Sequence, residues 1–152
     1  RVSAPNSATV FTPWTSTSAT TRVLAGLIKG AAYREQVAAV TSAGTSQVTT
    51  LAFRQPTVAT SVRDLRVASM PAAGRATIAW NPPASNGGTP VVRYLLRVSA
   101  PNSTSYGPWV ANATTSRTLV NLRKGSVYRV QVIAVNSQGN SAPVTLSFRQ
   151  AR

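Results

Sequence analysis

Arginine is the residue type in this sequence with the most evident capacity for chemistry. The chain of 152 residues carries 16 basic residues, all of them arginine except Lys29 and Lys124, against two acidic ones, so its formal net charge is +14 at pH 7. A positive field of this size attracts polyanions such as nucleic acids, anionic cell-wall polymers or acidic proteins. The alternative interpretation is a solvated basic surface whose counter-charges lie elsewhere in a longer protein.

The side chains on which most enzymes depend are missing from the sequence. It contains no histidine and no cysteine, and its only carboxylates are Glu35 and Asp64. Ser-His-Asp and Cys-His nucleophiles, paired catalytic carboxylates, and ordinary zinc or calcium sites all draw on these residue types. We therefore predict that the segment is not an enzyme and uses no cofactor or metal ion.

An alternating pattern in residues 119–135 predicts the strand around which the rest of the chain is organised. Beyond Tyr128, one set of alternate residues is apolar, which is typical of a strand buried on one side. This set is Val130, Val132 and Ala134, and the opposite set is Arg129, Gln131 and Ile133. Just before the strand, Leu122, Gly125 and Tyr128 are spaced so that a glycine turn lets the phenol reach an upstream backbone group, which resembles the tyrosine corner of immunoglobulin-like sandwiches.

The sequence contains an internal repeat. Residues 1–7 read RVSAPNS, and residues 97–103 repeat the same letters. After one extra residue in the first copy, matching positions differ by 95, as Trp14 and Trp109 do. The corner pattern also recurs, with Leu27, Gly30 and Tyr33. Identity at this level indicates tandem repetition of one structural unit.

The two copies differ in extent. Nothing precedes Arg1 that matches residues 62–96, so we interpret residues 1–55 as the C-terminal half of a repeat and residues 62–150 as a complete one. Residues 56–61 begin with proline and continue with mostly polar residues, which predicts a short linker. We expect the chain to be a segment of a longer array whose repeat is about 95 residues long.

Short strands separated by proline and glycine turns are predicted throughout residues 62–150. They lie at 62–70, 75–81, 92–98, 106–110, 117–120, 128–135 and 144–148, with a turn at 71–74. Their inward positions include Leu65, Val67, Ala76, Ile78, Trp80, Val92, Tyr94, Leu96 and Val98. Because no helical period occurs, the pattern predicts an all-β, antiparallel sandwich of two sheets.

The chain strongly resembles fibronectin type III domains in three stretches. These read WNPPASNGGTPVVRYLLRV at 80–98, LRKGSVY at 122–128 and AVN at 134–136. The resemblance covers residues 62–150, and residues 1–55 as the second half of another copy. It implies an immunoglobulin-like sandwich whose structural core includes Trp80, Tyr94, Leu122 and Tyr128, with Leu27 and Tyr33 in the first copy.

The sequence departs from the family's pattern at two points. The turn motif of the family often has proline where Lys29 and Lys124 stand. The chain also lacks the tripeptide RGD, so the integrin-type adhesion of some members is not implied.

One surface combines charge with aromatic residues. The alternation places Arg93, Arg97, Arg129 and Arg149 on the outward face of one sheet, with Leu95 and Ile133 between them. Guanidinium groups bind phosphate or carboxylate oxygens in bidentate fashion, so this face is a candidate polyanion-binding site for phosphodiester or uronate polymers. Trp109 and Tyr106 would add a stacking surface for a sugar ring. The alternative is that the arginines only solubilise the surface and Trp109 packs over the sheet edge.

Three classes of function remain. The first is a structural spacer, stalk or fibre-forming segment of a larger secreted or cell-surface protein, in contact with other domains or subunits of that protein. The second is a binding module for an anionic polymer, and the third is an accessory segment of a polysaccharide-degrading enzyme. Nucleic acid is a less suitable partner, because the sequence has neither a recognition helix nor a zinc module.

As a segment of a secreted or cell-surface protein, the chain is predicted to be extracellular or at the cell surface. No stretch approaches the roughly 18 apolar residues of a membrane span. The N-terminal residues also lack the basic and apolar pattern of a signal peptide. We therefore expect any export signal to lie outside this segment.

The incomplete copy is expected to expose an apolar face. Its inward positions are Leu27, Tyr33, Val37, Ala39, Leu51 and Phe53, and the strands that should cover them are missing. Glu35 aligns with the inward Val130, where a carboxylate is costly unless it is paired; the candidate partners are Arg22, Arg34 or a residue in the missing half. We expect residues 1–55 to be ordered only in the parent protein or when docked on another subunit.

Overall fold

The computed structural model describes residues 1–70 and 74–151, and all regular structure in these residues is β. The chain divides into two compact units, Arg1–Pro56 and Thr57–Arg152. In chain order the strands are β1 Ala32–Val37, β2 Val40–Thr41, β3 Gly44–Thr45, β4 Thr49–Arg54, β5 Arg63–Ser69, β6 Ala76–Asn81, β7 Arg93–Val98, β8 Val110–Asn112, β9 Ser116–Leu119, β10 Val127–Asn136, β11 Gly139–Asn140 and β12 Val144–Arg149. The predicted turn at 71–74 lies mostly outside the described residues.

The second unit is built from two antiparallel sheets. The smaller sheet has the order β5-β6-β9, and the larger has the order β11-β10-β7-β8, with β12 also paired to β10. β10 is the central strand, since Val130 to Val135 pair with β7 and Val127 to Val132 pair with β12. The predicted immunoglobulin-like sandwich is confirmed.

The core of the second unit is formed by alternate residues of β6, β7 and β10. Ile78, Trp80, Leu96, Val130 and Val132 are each 2% exposed or less. Trp80 meets Tyr94 edge-on, with ring centroids 5.5 Å apart, and burial raises the pKa of the Tyr94 phenol above its ordinary value. The alternation of β10 from Tyr128 to Val132 therefore decides which of those residues fill the core.

A tyrosine corner is present in both units. The Tyr128 hydroxyl accepts a hydrogen bond from the backbone N–H of Arg123 at 2.7 Å. In the first unit the Tyr33 hydroxyl accepts one from the N–H of Ile28 at 2.9 Å. Gly125, between Arg123 and Tyr128, has a φ of 68°, a left-handed conformation that glycine adopts without a steric penalty. The predicted three-residue spacing thus positions the phenol as expected.

The structure differs from the predicted alternation in the strands β7 and β10. Val92, predicted to point inward, is 64% exposed because β7 begins only at Arg93. Ile133, predicted to point outward, is only 4% exposed. It lies on the central strand directly opposite Leu95, so neighbouring strands flank it.

Two other strands also differ from the prediction. The pairing of β5 with β6 shifts between Arg63 and Arg66, and Asp64 within the shift has a φ of 50°. A bulge of this kind interrupts the period of two. The strand predicted at 106–110 begins at Val110, and Tyr106 forms only an isolated bridge with Ser99.

Residues 57–61, predicted to be a linker, pack within the second unit. The N–H of Thr57 donates to the carbonyl of Gly87 at 2.8 Å, and Ala59 is only 3% exposed. A Cβ at position 87 would lie 2.2 Å from the carbonyl oxygen of Thr57, so only glycine permits this approach. The boundary between the units accordingly falls between Pro56 and Thr57.

The first unit contains less regular structure. Its β1 pairs with β4, and β2 pairs with β3. Together β1 and β2 occupy the positions that β10 fills as one continuous strand in the second unit, but they are separated at residues 38–39. In the second unit, the residues that match positions 38 and 39 are Ile133 and Ala134, and both pair with β7. We attribute the break in the first unit to the lack of such a neighbour among the described residues.

We expect Trp80→Ala to destabilise the second unit by roughly 3 to 5 kcal/mol, because it removes a buried indole and leaves a cavity between the sheets. Urea unfolding followed by far-ultraviolet circular dichroism measures the change. Val92→Ala, at an exposed position of the same unit, should stay within about 0.5 kcal/mol of the unmodified chain. A loss below about 1 kcal/mol for Trp80→Ala would contradict a central role of the indole.

Tyr128→Phe should cost about 0.5 to 1.5 kcal/mol, since it removes one hydrogen-bond acceptor and leaves the rest of the ring in place. It should also accelerate amide hydrogen exchange at Arg123, whose N–H loses its partner. Tyr106→Phe, at a half-buried tyrosine outside the corner, is the matched control. Unchanged exchange at Arg123 in Tyr128→Phe would mean that the corner hydrogen bond does not hold the turn.

Candidate functional site

The candidate site is the outer face of the larger sheet in the second unit, on the side opposite the core. The strand register arranges its residues in rows across β7, β10 and β12. We use "outer face" for Arg93, Leu95, Arg97, Arg129, Gln131, Ile133, Thr145, Ser147 and Arg149. It contains every arginine that the sequence analysis predicts to bind polyanions.

Arg97 is engaged by neighbouring side chains. Its guanidinium lies over the rings of Tyr106 and Trp109, at 4.6 and 4.4 Å from their centroids. Its Nε and Nη2 atoms donate to Oε1 of Gln131 at 2.9 and 2.7 Å. Nε2 of Gln131 in turn donates to Oγ1 of Thr145 at 3.0 Å. Arg97 therefore closes a chain of contacts across three strands and is less available to an anion than its neighbours.

Arg129 and Arg149 are the more accessible cations of this face. Both are exposed, and they lie on the adjacent strands β10 and β12. Arg149 donates through Nη1 to the carbonyl of Gly125 at 2.9 Å, which holds its side chain along the sheet edge. Their rows follow the row of Arg97 in the register, so the three cations occupy consecutive rows.

Arg93 lies apart from these three arginines. It pairs with Val135, whereas Arg97 pairs with Gln131, so the two arginines are four positions apart on β7. At the rise of a strand this is about 13 Å, with the row of Leu95 and Ile133 in between. The basic surface is therefore a group of three cations with a fourth at the far end of the face.

The aromatic residues of the candidate site serve first as partners of Arg97. Trp109 and Tyr106 are both half-buried. One face of each ring is directed to the guanidinium, an arrangement in which the cation interacts favourably with the π system. A sugar ring stacked on Trp109 would have only the opposite face of the indole available.

The same constellation occurs in the first unit. The guanidinium of Arg1 lies 4.8 and 4.6 Å from the ring centroids of Phe11 and Trp14. Its Nε donates to Oε1 of Gln36 at 2.9 Å, and Nε2 of Gln36 donates to Oγ1 of Thr50 at 3.3 Å. We call this arrangement the arginine ladder of each unit.

Sequence reasoning missed the glutamine and threonine of the ladder. The signal that would have found them is the repeat itself. Gln131 and Thr145 recur as Gln36 and Thr50 at the common spacing of 95. From the sequence, Arg97 is predicted to be an anion ligand, because the alternation shows which face it lies on but not which side chains it contacts there.

The residues predicted to form the structural core occupy two environments. Those of the second unit, Trp80, Tyr94, Leu122 and Tyr128, are all 9% exposed or less. In the first unit Tyr33 is 4% exposed, whereas Leu27 is half-buried. The difference arises because Leu122 belongs to the packed core between two sheets.

The described part of the chain contains no group of three or more His, Cys, Asp or Glu residues that would suit a metal ion. No helix in the described residues is long and apolar enough to cross a membrane. A cavity of about 890 Å³ in the first unit is lined by residues that include Arg22, Glu35 and Val37.

The N-terminal amine lies close to charged residues of this cavity. Burial, followed by the positive charge of Arg22, lowers the pKa of the Arg1 amino group, and Glu35 acts in the opposite direction. Of the two arginines expected near Glu35, Arg22 shares the cavity with it.

Several solved structures have the same fold. Domains A168–A170 of titin match with a TM-score of 0.59 and 22% identity, over 84% of this chain and 44% of that one. The extracellular region of rat CD45, domains d3–d4, matches with a TM-score of 0.58 and 14% identity, over 91% and 74%. The twitchin kinase region from C. elegans matches with a TM-score of 0.55 and 24% identity, over 62% and 17%. The chain thus spans less than half of the titin and twitchin chains that it matches.

The family model of the fibronectin type III domain matches residues 60–147, which is more than half of the chain. The matched region begins just before β5 and includes most of the core, the tyrosine corner, and the outer face except Arg149. The chain therefore belongs to the fibronectin type III family.

Proposed function

We propose that this segment is a structural spacer or fibre-forming repeat of a larger secreted or cell-surface protein, and that it assembles through protein–protein contacts. Fibronectin type III domains are commonly structural or spacer modules of multidomain proteins. The observation that carries the proposal is the arginine ladder, which is present in both units with the same residue types apart from Phe11 in place of Tyr106.

The residues that the two copies share are mainly those that hold each unit together. Oγ of Ser3 and of Ser99 each accept a backbone N–H at 2.9 Å, from Arg34 and Arg129 respectively. Oδ1 of Asn6 and of Asn102 likewise accept backbone N–H groups at 2.9 Å. These serine and asparagine hydrogen bonds recur at positions 96 apart, which favours a module that is repeated for its length.

The composition supports a role without catalysis. The sequence has no histidine or cysteine. Its two carboxylates, Glu35 and Asp64, belong to different units, and Asp64 accepts a hydrogen bond from Nδ2 of Asn81 at 2.6 Å. We place the parent protein outside the cell or at its surface, where fibronectin type III domains are frequent.

A domain exchange in the parent protein tests the spacer role. Residues 57–152 are replaced by an unrelated fibronectin type III domain of equal length whose outer face carries no arginine. A spacer requires length and rigidity, so the parent's surface display or fibre formation should be retained, whereas deletion of residues 57–152 should reduce it. Loss of function in the exchanged protein equal to that in the deletion would contradict the proposal.

The second candidate function is binding of an anionic polymer, either as an independent module or as an accessory segment of a polysaccharide-degrading enzyme. The observation that favours it is the pair of exposed cations Arg129 and Arg149 beside Arg97 in a chain of net charge +14. Guanidinium groups suit phosphodiester and carboxylate polymers through bidentate hydrogen bonds. We do not propose nucleic acid as the partner, because the described residues include no helix to enter a groove.

Replacement of Arg93, Arg129 and Arg149 by serine should lower retention on an anionic resin more than the same change at Arg63, Arg66 and Arg123, which are exposed elsewhere in the same unit. Both triple variants lose the same charge, so a difference reports the arrangement of cations and not the net charge. The salt concentration at elution is the measurement. Equal shifts in the two variants would show that only net charge matters.

A further inference from the structure

We infer that each unit carries one subsite for a sugar-borne carboxylate, formed by two outward arginines on adjacent strands of its sheet. We call these two residues the arginine pair of the unit. The pair is Arg129 and Arg149 in the second unit and Arg34 and Arg54 in the first. The inference rests on the second candidate function, binding of an anionic polymer. It deepens that function, because it adds a subsite in the first unit and names the chemical group that both subsites take.

In the second unit the strand register brings the pair together. Arg129 on β10 lies opposite Ser147 of β12, and Arg149 lies opposite Val127. The two arginines are therefore diagonal neighbours on one face, with α carbons roughly 7 to 8 Å apart. Both side chains are exposed. Side chains of this length reach a common ligand at this separation, and each guanidinium presents a planar fork of donors that matches a carboxylate.

The first unit repeats this arrangement on its own strand pair. Arg34 of β1 lies opposite Ala52 of β4, and Arg54 lies opposite Ala32, so the diagonal offset is the same. Both arginines are exposed, and each precedes its counterpart in the second unit by 95 positions. The pair is therefore a feature of the repeated unit and not of one copy.

One arginine of each pair is anchored to the turn of the tyrosine corner. Nη1 of Arg149 donates to the carbonyl of Gly125 at 2.9 Å, and Nη1 of Arg54 donates to the carbonyl of Gly30. This bond occupies one of the five N–H donors of the guanidinium and leaves the others for a ligand. An anchored side chain also loses less conformational freedom when it binds, which lowers the entropic cost of capturing an anion.

The two carboxylate side chains of the protein lie away from these pairs. Glu35 directly follows Arg34 on β1, so its side chain projects from the opposite face of the strand. Asp64 lies on β5 in the smaller sheet and accepts a hydrogen bond from Asn81. An external anion therefore binds either pair without displacing one of these carboxylates.

A cavity beside the pair of the first unit indicates what the carboxylate is attached to. Its volume is about 410 Å³, and its lining includes Asn6, Ala32, Arg34, Ala52 and Arg54. This space is larger than a bare oxyanion requires. The two alanine side chains lie on the same face as the arginines, so they provide an apolar floor on which one face of a sugar ring can pack.

Asn6 supplies a donor for a hydroxyl group of the same sugar. Its Oδ1 atom accepts the backbone N–H of Ala32 at 2.9 Å, which fixes the orientation of the amide. In the second unit, Nδ2 of the matching Asn102 donates to Oγ of Ser126 at 3.5 Å, but the first unit has Ala31 in place of that serine. Nδ2 of Asn6 thus lacks this acceptor within the described residues. A uronate carries its carboxylate and hydroxyl groups on one ring, so a single residue of the polymer satisfies the arginines and the amide together.

Titration of the full 152-residue chain with tetragalacturonate, followed by nuclear magnetic resonance, tests the inference. Backbone amide and arginine Nε–H signals should shift saturably at 32–34 and 52–54 in the first unit and at 127–129 and 147–149 in the second. A linear polyphosphate of equal charge, at the same salt concentration, should bind more weakly to both units because it has no ring to pack in the cavity.

Serine at both positions of one pair should abolish the shifts of that unit and leave those of the other unit unchanged. All four positions are exposed, so the variants should fold. Lysine at both positions keeps the charge but not the planar fork, and it should weaken binding at that unit by about tenfold.

The matched control is the double variant Arg63→Ser/Arg66→Ser, which removes the same charge from exposed positions on β5. It should leave both sets of shifts in place. A loss equal to that of the pair variants would overturn the inference, because net charge alone would then attract the ligand.

Three other results would also overturn the inference. Shifts confined to one unit would refute the recurring subsite and leave the second candidate function standing. Polyphosphate binding as tight as that of tetragalacturonate would refute the sugar-borne carboxylate. Absence of shifts in both units would refute both subsites, and the retention of the triple serine variants on the anionic resin then decides separately whether the second candidate function stands.

Discussion

The second unit depends on the pairing of β10 with strands on both of its sides. β7 and β12 together bond to this strand from Val127 to Val135, and the alternation of β10 then directs Val130, Val132 and Ala134 into the core. In the first unit the equivalent segment divides into β1 and β2. The two segments have similar sequences, so their difference arises from their neighbours. Whether this segment forms one continuous strand therefore depends more on its neighbouring strands than on its own sequence. This agrees with the strong context dependence of β propensity.

This dependence also explains which parts of the fold the sequence predicts. The alternation in residues 128–132 and the spacing of Leu122, Gly125 and Tyr128 are local patterns, and both correspond to the structure closely. The positions of Val92 and Ile133 depend on where β7 begins and on which strand is central. Neither can be read from a period of two. The bulge at Asp64 also depends on pairing with another strand, because it is defined by the register against β6.

The candidate site shows the same limit for side chains. Alternation assigns all four candidate arginines to one face, but Arg93 lies four positions from Arg97 along β7, away from the other three. The sequence pattern does not show that Arg97 lies between two aromatic rings and a glutamine. A guanidinium engaged in this way has less to offer a polymer, since its Nε and Nη2 atoms already donate to Gln131 and the group lies against two aromatic rings. Only comparison of the two copies would have revealed that the arginine belongs to a structural set.

The ladder also bears on the meaning of the net charge. If the positive charge served anion binding alone, an arginine that neighbouring side chains engage in both units would be a poor choice of ligand. In both units that arginine joins three neighbouring segments through an aromatic pair, a glutamine and a threonine. Cation–π contacts of about 0.5 to 2 kcal/mol are a substantial part of the stability of a small domain, which is only about 5 to 15 kcal/mol. Part of the arginine content thus stabilises a sandwich that has no disulfide, and exposed residues such as Arg129 and Arg149 supply the remaining field.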